Sequence, residues 1–321
     1  VPGLSVTEVA PDSALVVTAP GSIMLMGEHA VLFGHRAIAC AVNKYMRVEL
    51  TPRGDQRVEI DSALARYSAS LSALTDEPRL SFVLATIRRF VPQLAQGFRL
   101  TIRSEFSHTV GLGSSAAVTA AVVTALATYA RGETPERAEL FDLALSVVHE
   151  VQGGRGSGTD LVASIYGGFI AYTVEPRQIE ALSGLPPISL FYAGYKTPTP
   201  IVLQRVEQLS RSQPEIYNEL YRLMHSTTVA AEAAIRAADW NELGKLMNIY
   251  QGLMDALGVS DATISDMIRR LRGSEQIAGC KISGSGLGDC VVALGRDRNL
   301  DMPYEEIPVA VSAKGVDVET I

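Results

Sequence analysis

The chain has 321 residues, with 28 Lys+Arg against 35 Asp+Glu for a formal charge of −7, and it is 47% hydrophobic and 20% charged. That composition belongs to a folded protein rather than a disordered one, and its length suggests two domains or one large one. The acidic balance argues against a nucleic-acid partner, which would demand a basic surface.

Leu15-Val16-Val17 reads as a strand that runs into a turn at Pro20-Gly21. Residues 45–51 and 57–60 read as a hairpin about Pro52-Arg53-Gly54-Asp55. Pro78 opens a helix with Leu80, Val83, Leu84, Ile87 and Val91 on one stripe, and the alternation of Phe98, Leu100 and Ile102 marks a half-buried strand. A helix follows Gly113, and another is expected from Thr134-Pro135, with Thr as N-cap and Pro in the first turn. Its stripe is Leu140, Leu143, Ala144, Val147 and Val151; a glycine loop at 153–158 ends it, and 169–174 reads as a strand. Residues 176–187, with three prolines and a glycine, are the linker candidate. Beyond them lie a strand at 188–193, mostly helical sequence over 200–272, and strands at 277–282 and 290–294. The order is α+β without regular alternation, divided into domains 1–182 and 183–321.

Cys40, Cys280 and Cys290 form no Cys-x-x-Cys pair, so neither a zinc site nor a disulfide scaffold is expected. Reduced thiols and the lack of a signal-peptide pattern fit a cytoplasmic protein. The most apolar stretch, 116–130, is too short and small-sided for a membrane span, so no membrane partner is expected. Lysine occurs at only five positions: Lys44, Lys196, Lys245, Lys281 and Lys314.

Three glycine-rich stations and one loop carry the chemistry. In the first, Gly27-Glu28-His29 sets a carboxylate beside an imidazole, able to contact a polyol or carboxylate substrate. The second, Val110-Gly111-Leu112-Gly113-Ser114-Ser115, stands between a strand and a helix. Its glycines let the backbone approach a ligand, and the helix start offers free N–H groups to an anion. It is neither a Walker A loop, which needs Gly-Lys-Ser/Thr, nor a dinucleotide fingerprint, since Ala116 holds the third glycine slot. The third, Ser283-Gly284-Ser285-Gly286-Leu287-Gly288, reads either as a tight connection or as backbone against a phosphate chain. Between them, Glu150 and Asp160 bracket a glycine loop that contains Arg155. One carboxylate there can hold magnesium while the other accepts a hydroxyl proton, although Asp160 reads equally as an N-cap to residues 161–166.

Pro20-Gly21 with Gly27-Glu28-His29-Ala30-Val31, then Gly111-Leu112-Gly113-Ser114-Ser115-Ala116-Ala117, then Lys281-Ile282-Ser283-Gly284-Ser285-Gly286, in that order, resemble the three motifs of the GHMP kinase superfamily, most of all its mevalonate kinases. The match extends over residues 15–295. The resemblance implies an N-terminal domain related to ribosomal protein S5 domain 2, a ferredoxin-like C-terminal domain, and a site between them. It implies ATP held by residues 110–115 and 283–286, Mg2+ held by Ser115 and Glu150, and Asp160 as the base on the substrate hydroxyl. Glu28 and His29 would lie near that substrate, with mevalonate the best fit, and a homodimer is the family expectation. The chain departs from the pattern at Ser22, where the family has a lysine, and at Leu287 and Asp289, where it mostly has glycine. Lys196 and Arg155 are the candidates to supply the missing charge as catalytic cations. Two rivals remain: a kinase of the same superfamily for another hydroxylated compound (phosphomevalonate or a sugar), and a non-catalytic sensor on the same fold.

Overall fold

A computed structural model describes residues 13–107 and 110–321. The first half builds β1 (Leu15–Met26), β2 (Ala37–Pro52), β3 (Arg57–Ser62), β4 (Arg66–Ser70), α1 (Ser81–Phe90), β5 (Phe98–Ser104), α2 (Ser114–Arg131), α3 (Arg137–Val151), α4 (Thr159–Tyr166), β6 (Phe169–Thr173) and β7 (Gln178–Leu182). The second half builds β8 (Ile188–Lys196), α5 (Thr199–Ser212), α6 (Pro214–Arg236), α7 (Trp240–Ala256), α8 (Ala262–Arg272), β9 (Ile277–Ser283), β10 (Gly288–Gly295), β11 (Glu305–Ile307) and β12 (Asp317–Thr320).

The first sheet runs β12-β1-β2-β5-β3-β4, with β6 also on β2 and β7 on β6. The last strand of the chain therefore lies in the sheet of the first half. The expected hairpin does not form: the chain reverses after Pro52, but β5 inserts between β2 and β3, antiparallel to the first and parallel to the second. The turn signal at 52–55 dictates a reversal, not a partner. The turn itself is bonded to the entry of β5, Arg53 N–H to Gly97 O at 2.9 Å. Nor does Pro20-Gly21 turn the chain; β1 runs straight through it with a register shift against β2. Helix α3 starts at Arg137 rather than Thr134, which is buried with its hydroxyl bonded to Thr128. The proposed linker contains β7, leaving only residues 183–187 as connector.

The second sheet is antiparallel in the order β11-β8-β10-β9. Numbered along the chain this is 4-1-3-2, the ferredoxin-like order. The chain has the two-domain α+β architecture expected of it.

Alternation along β2 explains how the halves meet. Ala37, Ala39 and Ala41 face a core shared with α1–α4, while Ile38, Cys40 and Val42 face a second core shared with the C-terminal sheet and helices. Over residues 37–42 both faces of the strand are buried and the sequence is unbroken apolar; beyond Asn43 one face opens to solvent and β2 alternates. Buried Arg36 adds a polar tie between the halves through its ion pair to Glu232 of α6 at 2.8 Å, while a second pair to Glu180 of β7 at 2.7 Å holds it within the first half. The three cysteines are free and buried, and burial pushes the Cys280 thiol up to about 12, as expected of inert thiols. Among the described residues, no helix is long and apolar enough to cross a membrane.

Candidate active site

The bulge in β1 brings the first station onto the second. A β-carbon on Gly21 would lie 2.9 Å from the Leu112 carbonyl oxygen, and Ser22 N–H donates to that same oxygen at 3.0 Å. Ser22 is fully buried, and its hydroxyl donates to Asp160 Oδ1 at 2.8 Å. Gly113, at φ +62°, begins α2 as its N-cap; a β-carbon there would collide with the Ser22 hydroxyl. Glycine is needed here twice over, for the left-handed backbone and for the space. No side chain caps the first turn of α2, so its N–H groups remain available to an anion. Val110 and Ser114 are half-buried, Leu112 is buried and Ser115 is exposed.

Asp160 is not a helix cap. Gly158 holds that position in α4, and Asp160 is the second helical residue with its carboxylate turned to Ser22. Burial raises its pKa above the ordinary carboxylate value; the Ser22 hydrogen bond and the charge of Lys196 oppose this, and the charge of Asp289 adds to it. Of the two cations considered for the site, the structure brings Lys196 to Asp160. Arg155 stands exposed in the glycine loop and makes no side-chain ion pair among the described residues.

Lys196, the last residue of β8, pairs with Asp289 at 2.9 Å. Asp289 is buried, and its carboxylate occupies the space that a β-carbon on Gly111 would need. The third station thus reaches the second through this side chain. The station itself is anchored on protein. Ser283 is buried and spends its hydroxyl on Met24 O at 3.2 Å, in place of the nucleotide contact expected of it. Leu287 N–H donates to Val259 O at 2.7 Å and Thr197 Oγ1 to Leu287 O at 2.6 Å. Gly284, Ser285 and Gly286 form the loop between these anchors, and Ser285 Oγ lies 3.5 Å from Thr199 Oγ1.

Glu28 is also placed differently from expectation. Both it and Lys281 are fully buried and form an ion pair, so the carboxylate serves the junction of the first and third stations rather than an open substrate pocket. Burial pushes Glu28 up and Lys281 down, each opposed by the charge of the other. Tyr250 of α7 seals the turn, accepting from Gly27 N–H at 3.0 Å and donating to Glu28 O at 3.1 Å. His29, held at φ 60°, places Nε2 2.9 Å from Ser285 O, and burial lowers its pKa. Its Nδ1 is buried without a partner.

Ser115 lies in the first turn of α2 and Glu150 in the last turn of α3, which packs against α2. Glu150 is half-exposed and ion-paired with Arg89 of α1 at 3.0 Å. A hydroxyl and a carboxylate are the hard oxygen donors that suit magnesium. The described residues hold no group of three or more His, Cys, Asp or Glu side chains placed to bind a metal by themselves.

Asp289 and Lys281 had one sequence signal each, an unexpected charge beside a glycine run and a lysine in a chain with five. Tyr250 had none, being one aromatic on a helical stripe.

A family profile described as "GHMP kinases N terminal domain" matches residues 81–168, and another, "GHMP kinases C terminal", matches residues 231–301. The chain is 30% identical over 302 residues to the mevalonate kinase of Aeropyrum pernix, covering 90% of this chain and 91% of that one. It is 31% identical over 335 residues to the mevalonate kinase of Thermococcus sibiricus, covering 96% and 99%. Among solved structures, the Lin0012 protein of Listeria innocua superposes with a TM-score of 0.84 at 23% identity, over 95% of this chain and 99% of that one. With its stations converged on one site and its relatives matched nearly end to end, the chain belongs to the GHMP kinase family of small-molecule kinases.

Proposed function

We propose that the protein transfers the γ-phosphoryl group of ATP to the hydroxyl of mevalonate. The observation that carries this reading is the Asp160 carboxylate, half-buried beside Gly113 at the start of α2, with Ser22 on one oxygen and Lys196 supplying positive charge. The substrate follows from the curated relatives, which are named as mevalonate kinases and match along nearly the whole chain.

In this reading the backbone of 110–115 and the hydroxyls of Ser114 and Ser115 bind the phosphates at the open first turn of α2. Gly284, Ser285 and Gly286 close over the nucleotide from the C-terminal domain. Asp160 takes the proton of the attacking hydroxyl on the carboxylate oxygen that Ser22 leaves free. Phosphoryl transfer asks mainly for positioning and charge neutralisation, so Lys196 contributes by offsetting phosphate charge and by keeping Asp160 ionised. Ser115 and Glu150 are the residues that would hold Mg2+, Glu150 by exchanging its bond to Arg89. The bound ion supplies charge that offsets the phosphates.

ADP release measured with mevalonate, phosphomevalonate, galactose and homoserine in parallel tests the reading. ADP formation is expected with mevalonate. Turnover of a different member of the panel reassigns the substrate, and no turnover with any of them favours a sensor.

A further inference from the structure

Asp289 is an improbable residue for its place. It is 6% exposed, has a φ of 65° that side chains other than glycine rarely adopt, and leaves Oδ1 buried without a hydrogen-bond partner. Its carboxylate lies over Gly111, within the loop that would carry phosphates. An anion there opposes nucleotide binding. The one favourable contact that accounts for it is the ion pair from Oδ2 to Lys196. The register of β10 against β8 slips at this point, Gly288 pairing with Lys196 and Cys290 with Tyr192. That bulge turns Asp289 out of the alternation and toward the lysine.

We propose that Asp289 is a positioning residue that holds Lys196 between the phosphate loop and Asp160, so that a cation from the C-terminal sheet faces both. The proposal rests on the kinase reading and adds to it a role for Asp289. Lys196 ends its strand, and its side chain is 35% exposed. Unheld, such a chain samples many rotamers and its charge is screened by water. The pair to Asp289 restricts it at the mouth of the site. The groups that face Asp160 are then Ser22, Lys196 and Asp289: the first two keep it ionised, while Asp289 opposes ionisation by its own charge and favours it by holding Lys196 in place.

Asp289→Asn tests this, because asparagine tolerates the left-handed backbone and removes only the charge. Asp289→Gly, which suits that backbone even better, serves if the first variant folds poorly. Two consequences are expected, and they run in opposite directions. Loss of the anion beside Gly111 leaves Lys196 unneutralised, so ATP binds about fivefold tighter by calorimetry. The lysine is drawn to the phosphates and away from Asp160, so kcat falls by about tenfold. Lys196→Met lowers kcat at least as much, and the double variant Lys196→Met with Asp289→Asn is no slower than Lys196→Met alone. Unchanged kcat in the Asp289 variants overturns the proposal, as do losses that multiply in the double variant. A kcat and melting temperature that fall together with no change in ATP affinity also overturn it, as the mark of a structural role. Calorimetry does not require turnover: if the wild type forms no ADP with any substrate, the kinase reading fails, while the ATP-affinity cycle still reports whether Asp289 acts through Lys196.

Discussion

Asp160→Asn removes the negative charge from the site but keeps an oxygen that can accept the Ser22 hydroxyl, so the side chain should stay where it is. Loss of the base lowers kcat by about 10²–10⁴-fold, equivalent to about 2.7–5.4 kcal/mol of transition-state stabilisation. Stability moves the other way. Burial raises the folded-state pKa of Asp160 above the unfolded value, which is about 3.9 for an aspartate. Between those two values the native state binds more protons than the unfolded state, so stability falls as pH rises through that window. At neutral pH the ionised carboxylate is therefore a net cost to the fold. The start of α4 returns about 0.3–1 kcal/mol of it through the helix dipole, but burial remains the largest influence on the group. The variant should melt higher than wild type at neutral pH, with the gap closing toward about pH 4 as the wild-type carboxyl takes up its proton. Coupled ADP release and thermal melts across that pH range read both effects. Wild-type turnover would remove Asp160 as the base, and a lower melting temperature at neutral pH would refute the claim that its burial is unfavourable.

Gly113→Ala should cost about 1–2 kcal/mol for the left-handed backbone alone, plus the displacement of Ser22; adding Ser22→Ala should recover about 0.5–3 kcal/mol in a urea-unfolding cycle, and strict additivity would show that the two residues do not collide. Lys281→Met leaves Glu28 buried without its cation and should cost about 3–5 kcal/mol at neutral pH. Because burial pushes Glu28 up, that loss should shrink as the pH falls and the carboxyl becomes neutral, which urea titrations at two pH values would detect. Glu150→Gln should raise the magnesium concentration needed for half-maximal rate, and Arg89→Ala, which frees the carboxylate, should lower it; no response in either variant would remove Glu150 as a ligand.

Much of this molecule is legible along the chain. The stripe of Leu140, Ala144 and Val147, the alternation of Phe98, Leu100 and Ile102, and the glycine pair ahead of α2 are short-range patterns, set by helical and strand periodicity and by steric freedom at Gly113. Such patterns name the elements and mark where backbone can meet a ligand, and the order of the stations points to the family. They did not predict that β5 would separate β2 from β3, because a turn at 52–55 constrains the direction of the chain and not its neighbour. Nor did they separate the roles of three carboxylates. Glu28 is sealed by a lysine 253 residues away, Asp160 is bonded to a serine 138 residues away, and Asp289 lies against a glycine of another domain. Whether a carboxylate acts as base, strut or tether depends on its desolvation and on which charge faces it, and both come into being only when distant segments pack. The sequence by itself determined the main helices, the strands that flank the stations, the stations themselves and the family; the tertiary structure alone decided the strand neighbours and which charges meet, because Coulomb energy and burial depend on distance in space and not along the chain.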